Sequence, residues 1–502
     1  MRTGFAIGVL ILVAVPVFGA GPAALSPDMW QRVQSVVPTT IDLAPTQSPQ
    51  APAKLSLKEC IALALRHSAG FRQSQEQLVS ARRGLWVATQ RLHPSLTGSA
   101  ERRRDPGEES TTNLTAGLGT RWEGLGGGTL QASADTGEQN AISSLLSQQP
   151  ALSLNFDQPL IRGAGLASST AERIRSAQTG LASQELTFYD ARQDLAQQVI
   201  EGYFGVLLAQ GEVEIAQRSA DRAKQLYDIN YAKFTGEGLK QPGEEWVSQV
   251  AEIDVDQARL SWESAKQGLI SGQQSYRDAM DSLLLAMGFL PGATPELTTA
   301  IAYYPQEYDG AALVQTALSN STNLGRLELS RQDAEAARRI ARSQDRTDVT
   351  ATVGITDLGE TLSGATLSTG WFGGLRADVP LADRRRREDL ARADRALAVL
   401  EQRIVAARDS VTREVQRQIR AAASSRARID IGEQSVALAR KSREAAQGMY
   451  DEGLSDYLRV LDAEDRLVQA ERSLLQEQVQ YFLATVRVRR ALGEEITQGL
   501  PG

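Results

Sequence analysis

Two histidines, His67 and His93, and one cysteine, Cys60, are all the imidazole and thiol in 502 residues. A zinc or iron centre, or a nucleophile paired with a histidine, needs several such groups close together. Those chemistries are nearly excluded, and both histidines read as surface or helix-packing residues. A lone cysteine also forms no intramolecular disulfide. The glycine clusters do not cradle a nucleotide. Gly124–Gly128 (GLGGG) lacks the Gly-Lys-Ser/Thr of a phosphate loop, and Arg162–Leu166 (RGAGL) lacks a preceding parallel-strand context. Neither an enzyme nor a cofactor is expected. Net charge is −7 and the sequence pI about 5.3, which gives no footing for nucleic acid. The remaining charge clusters are arginine runs. Arg384–Arg387 open a helix, where the dipole disfavours cations. Contact with lipid phosphates and a plain solvated run both account for them; for Arg102–Arg104 the two readings are contact with outer-leaflet phosphates and a place in a loop.

The elements around these residues are of three kinds. Residues 1–23 read as a signal peptide: Arg2, an apolar run from Phe5 to Phe18, then Gly19, Ala20 and Gly21. The run is shorter than the roughly 20 residues of a membrane helix. Cleavage is expected between Gly19 and Ala24, with no cysteine nearby to carry a lipid. Residues 24–54, rich in Pro, Ser, Thr and Gln, read as a flexible linker. No later segment is an 18-residue apolar run, so any membrane crossing is by strands.

From Leu55 a helix is expected to about Leu92, ended by Pro94. Residues 95–161 alternate apolar with Ser, Thr and Asn and suit strands with one apolar face. Up to four fit, counting Thr111–Trp122 and Gly128–Asp135 as an extra pair. Residues 166–234 contain no proline and read as one helix, about 105 Å long at 1.5 Å per residue. A Gly/Pro-rich turn (234–246) leads to a second helix that stops after Met287.

The order then recurs. Ala64-Leu65 aligns with Ala317-Leu318, Ala88 with Ala341, and Pro159-Leu160 with Pro380-Leu381. A proline-free helix over 382–451, a turn at 450–458 and a helix to about Leu492 complete the second copy. Two repeats, 55–295 and 296–502, are expected. In the last helix Leu454, Leu461, Val468, Leu475 and Phe482 recur every seven residues, as do Val460, Leu467, Leu474, Tyr481 and Val488. Seven-residue columns indicate left-handed supercoiling against other helices. Glu464, Gln478 and Arg487 are expected to face water.

Strands with one apolar face in an exported chain span a membrane only as a closed barrel. One chain has too few for an open pore, so several chains must share a barrel. Proline at 159 and 380 ends the sheet ladder and opens the helix that follows. Here the sequence resembles the TolC family of outer-membrane efflux proteins over nearly all of 55–495. The resemblance rests on LSLKECIALALRHS (55–68), the joints FDQPLIRGAG (156–165) and ADVPLADRR (377–385), the turns GEGL (236–239) and DEGL (451–454), and YLRVLDAEDRLVQAERSLL (457–475).

The resemblance implies a mainly α fold with a membrane β-barrel part. A homotrimer would share one β-barrel in the outer membrane and one duct of long coiled-coil helices in the periplasm. It implies a passive exit duct for efflux or type I secretion, working with a periplasmic adaptor (membrane fusion protein) and an inner-membrane transporter of RND, ABC or other class. A closed tip held by charged and hydrogen-bonding residues points to Tyr450, Arg459, Asp462 and, in the first repeat, Glu244. Arg459 stands where the family pattern has an aspartate, which puts the usual acidic ring in doubt, and ordinary surface carboxylates account for Asp462 and Glu244 equally. Adaptor-docking tips correspond to Gly238-Leu239 and Gly453-Leu454, although glycine as a helix terminator explains both turns on its own. The family usually has two strands per repeat, so the extra pair means a larger barrel or an outer loop. An exported coiled-coil structural or adhesive protein without a pore is the alternative reading.

Overall fold

A computed structural model describes residues 25–38, 52–103, 111–139, 151–236, 248, 250–299, 305–357, 369–379, 384–452 and 454–497. Residues 1–23, expected to be a signal peptide, and Gly238, Leu239, Glu244, Pro380 and Gly453 lie outside the described residues.

The first part of the chain runs α1 (Pro27–Val36), β1 (Lys54–Leu55), α2 (Leu57–His67), α3 (Ala69–Thr89), β2 (Leu92–Arg103), β3 (Thr111–Glu123), β4 (Thr129–Gln139), β5 (Ala151–Pro159), α4 (Ser169–Thr235) and α5 (Glu252–Met287). The second runs β6 (Glu296–Leu297), α6 (Gly310–Asn320), α7 (Thr322–Gln344), β7 (Asp348–Asp357), β8 (Thr369–Asp378), α8 (Arg384–Asp451) and α9 (Tyr457–Ala491). Two short helices, strands, a very long helix and a shorter one thus occur twice in the same order.

α4 is the spine. Its 67 residues span about 100 Å. No helix of that length is held by propensity alone; it needs an apolar stripe buried against neighbours. Val199, Ile200, Tyr203 and Phe204 supply the stripe, packed with Leu283, Leu284 and Met287 of α5 and Cys60 and Ile61 of α2. Each such fully buried side chain contributes roughly 1.5–3 kcal/mol relative to exposure. The Tyr203 hydroxyl accepts from the Thr299 amide at 2.9 Å and donates to the Leu55 carbonyl at 3.3 Å. This ties the parallel pair β1–β6 to the spine. Cys60 sits in the same core, and burial pushes its thiol up to about 12.

The expected helix from Leu55 to Leu92 is two helices broken at Ser68. That residue is the C-cap of α2 and the N-cap of α3, with extended backbone (φ −61°, ψ 123°). Ser321 does the same between α6 and α7, and its Oγ accepts from the Leu324 amide. Serine offers a helix start within an otherwise periodic pattern, so no proline is needed. Pro94 does not end the helix either: it lies inside β2, which has a neighbour on one side only, the place a sheet tolerates proline. Pro159 closes β5 as expected but does not open α4, whose N-cap is Ser168. Within the expected linker, Pro27–Val36 form α1, which buries Met29 and Val33 against Leu186, Tyr189 and Leu329.

α9 packs as its seven-residue columns require. Val460, Leu467, Tyr481 and Val488 are buried, with Leu474 half-buried, and Leu461, Val468, Leu475 and Phe482 form the half-buried flank. Glu464 departs from expectation. It is buried, with Arg222 of α4 on one carboxylate oxygen and Arg443 of α8 at 3.4 Å from the other. Seven residues on, Glu471 pairs with Arg440 at 3.0 Å and Arg218 at 3.8 Å. Two arginine–glutamate–arginine rungs therefore cross-link α4, α9 and α8. Arg487 stays partly exposed and pairs with Glu201 of α4 at 2.8 Å.

Removing one member of a buried pair strands the other charges. Glu464→Ala should therefore cost about 3 kcal/mol in chemical denaturation. Asp462→Ala removes an exposed pair with Arg466 and should cost under about 1 kcal/mol. Equal losses would show that the Glu464 rung is not a structural cross-link.

Candidate functional site

Six strands form one antiparallel sheet in the order β2-β3-β4-β5-β7-β8. Side chains alternate between its faces, so register decides what each face carries. Leu96 pairs with Leu118, Trp122 with Leu130, Leu130 with Phe156, Phe156 with Val353, and Ile355 with Trp371. Every strand thereby contributes apolar side chains to one face. Leu96, Leu118, Leu130, Leu154, Phe156, Val353, Ile355, Trp371 and Leu375 are all exposed there, Trp371 at 81%.

The opposite face carries Ser95, Arg121, Gln131, Ser133, Ser153, Asn155, Asp157, Thr350 and Thr352. Ser133 and Ser153 hydroxyls meet at 2.7 Å, and Thr352 donates to Asp157 at 2.6 Å. One aromatic breaks the pattern: the Phe372 ring lies over Gly354, where a Cβ would come within 2.3 Å of it. Trp122 stands at the helix-side end of β3 and Trp371 toward the far end of β8, both on the apolar face.

The helix-side end of the sheet is locked to the long helices. The β3–β4 turn folds at Gly127 (φ +88°), where a Cβ would lie 2.5 Å from the Gly163 carbonyl. The Gly165 amide donates to the Gly126 carbonyl at 3.1 Å and Ser168 Oγ to the Leu125 carbonyl at 2.6 Å. Glu123 receives Arg173 at 2.8 Å. Across the joint, Arg162 pairs with Asp348 and the Gly163 amide donates to Ser343 Oγ at 3.1 Å.

At the far end of the helices, Tyr450 is buried and its hydroxyl donates to Asn230 of α4. Its ring packs edge-on to Tyr457 at 6.0 Å, with the Lys233 ammonium 5.1 Å above it. Burial, reinforced by the charge of Asp254, pushes the Tyr450 hydroxyl up to about 12, so it stays a donor. Arg459 and Asp462 lie on the exposed side of α9. The Arg459 amide is capped by Asp456, and Asp462 pairs with Arg466 at 2.8 Å. Asp462 also acts on Asp465, whose carboxyl is raised chiefly by burial and then by that neighbouring charge. Leu454 is 73% exposed, its amide closing the end of α8 on the Met449 carbonyl at 2.8 Å. Tyr450 is thus separated from the two charged residues: it joins helices, while they face outward. The buried rung at Glu464 and the more exposed one at Glu471 were missed because their partner arginines lie on helices distant in sequence; the seven-residue spacing of the two glutamates was the available signal.

Among the described residues no His, Cys, Asp and Glu group could hold a metal ion. His67 packs on Phe289, ring centroids 5.6 Å apart, and His93 sits 3.9 Å from Glu123. No described helix is long and apolar enough to cross a membrane.

Residues 313–494 match the model of the outer membrane efflux protein family. The cobalt-zinc-cadmium resistance protein CzcC of Cupriavidus metallidurans is 28% identical over 334 residues, 65% of this chain and 74% of CzcC. The outer membrane protein VceC of Vibrio cholerae superposes with a TM-score of 0.64 at 18% identity, over 88% of this chain and 96% of VceC. The MtrE outer membrane channel of Neisseria gonorrhoeae gives 0.63 at 16% identity, over 88% and 89%. Residues 313–494 thus match the outer membrane efflux protein family model, and over most of its length the chain has the fold of solved outer-membrane channels.

Proposed function

We propose that three copies of this chain form a passive exit duct in the outer membrane, their sheets closed into one β-barrel and their long helices into a periplasmic tunnel. The observation that carries this reading is the sheet itself: one face is apolar and exposed on every strand, and among the described residues β2 and β8 each have a neighbour on one side only. Open strand edges cannot stand in hydrocarbon, because no water is present to satisfy them. Six strands are also too few to close around a lumen. Copies must therefore join β8 to β2.

The helices support the same reading. Six of the 68 residues of α8 are buried, against twenty of the 67 of α4. α8 leaves Val405, Ile431 and Leu438 exposed, as a helix does when its neighbour belongs to another copy. The internal duplication, with its repeats at 55–295 and 296–502, supplies two long helices per copy for the tunnel wall.

At the tip, Tyr450 holds α8 against α4, while Arg459, Asp462 and Glu244 act as the charged gate residues. Gly238-Leu239 and Gly453-Leu454 present the adaptor-docking surface, with an inner-membrane transporter supplying the energy. The exposed leucine at 454 favours a protein partner there over solvent.

Purified protein added to a planar bilayer should give discrete single-channel conductance, and chemical cross-linking should trap a trimer. A monomer without conductance would instead favour the adhesive reading. Leu154→Arg, on the apolar face, should cost roughly 2–4 kcal/mol of membrane stability. It should deplete the protein from the outer-membrane fraction. Asn155→Arg, one residue on and facing the other side, should leave that fraction unchanged; equal depletion by both would contradict the assignment of faces.

A further inference from the structure

The strand count adds to this reading. Among the described residues the second half of the chain gives the sheet two strands, β7 and β8, and the first half four, β2 to β5. We infer that the additional hairpin β3–β4 is a full membrane-spanning part of the barrel wall, so that each copy supplies six strands and the three-copy barrel eighteen.

Four observations carry it. The hairpin lies inside the sheet: β2 pairs with β3 and β5 with β4, so β2 joins the rest of the sheet only through the hairpin. An outer loop would instead leave β2 and β5 paired with each other. Second, β3 and β4 have 13 and 11 residues, and a tilted membrane strand needs about 9–11. Third, the apolar face crosses the hairpin without a register slip, through Leu118, Trp122, Leu130 and Ala132. A slip of one residue would have turned these side chains to the polar face. Fourth, the turn sits at the helix-side end of the sheet, bonded to the start of α4 through Leu125, Gly126 and Glu123. The hairpin therefore spans the distance from that joint outward.

Two added strands keep β2 and β5 antiparallel and leave the seam between copies, β8 to β2, unchanged. Barrel width grows about linearly with strand number, so eighteen strands give a mouth roughly 1.5 times as wide as twelve. Barrels of about that size hold an aqueous lumen without a plug. The outer mouth would then admit bulkier cargo than a twelve-stranded one.

The inference rests on the exit-duct reading, and one experiment separates the two. Single cysteines are placed by Leu118→Cys, Leu130→Cys, Leu154→Cys and Gln131→Cys and labelled with bimane. Cys60 is fully buried and does not compete for the label. Each labelled protein is reconstituted into phosphatidylcholine vesicles with and without bromine on the acyl chains. Quenching at 118 and 130 should match that at 154 and exceed that at 131 by about twofold or more. Quenching at 154 but not at 118 or 130 would overturn the six-strand wall while leaving the duct intact. Absence of quenching at 154 as well would overturn both.

Discussion

A backbone amide in hydrocarbon has no water to bond, and this constraint shapes the whole chain. It forbids the two free edges of the β2-to-β8 sheet from standing alone in lipid. The same sheet cannot stay in water, because Leu118, Phe156, Val353 and Trp371 share one exposed face. In the assembly we propose, closure with other copies meets both demands at once. In that assembly the polar face, with its Ser133–Ser153 and Thr352–Asp157 bonds, would line a water-filled bore.

The helices answer a second demand, which is to hold a sheet at one end of elements about 100 Å long. The joint is built for stiffness. Glu123, Leu125 and Gly126 tie the β3–β4 turn to the start of α4, and Arg162 with Gly163 ties the β5–α4 connection to Asp348 and Ser343 of the second part. Further along, packing around Tyr203 and Leu283 gives way to charge. The rungs at Glu464 and Glu471 fix α4, α8 and α9 where fewer large apolar residues meet. A carboxylate between two arginines sets the lengthwise register of neighbouring helices, which a uniform alanine-rich seam would specify poorly.

Much of this was legible in residue order. The proline-free run from 166 to 234 matches α4 within a few residues, and the seven-residue columns of α9 name its buried side. The six-strand sheet was partly legible: alternation showed the strands, but their pairing order depends on contacts between residues far apart, such as Phe156 with Val353. The breaks at Ser68 and Ser321 were hidden because serine is tolerated within a helix and stops one only when the next helix has somewhere to pack. Glu464 looked like a solvated residue because Arg222 and Arg443 reach it from other helices. Tyr450 could be picked out through the family resemblance, while its burial against Asn230 could not.

The central claim is that the edges of the sheet are sealed by other copies within a membrane. Hydrogen–deuterium exchange on protein reconstituted in vesicles tests it most directly. Amides of β2 and β8 should be as protected as those of β4 and β5 at the middle of the sheet. Rapid exchange in β2 and β8, with β4 and β5 still protected, would mean that the edges remain open and would contradict the account.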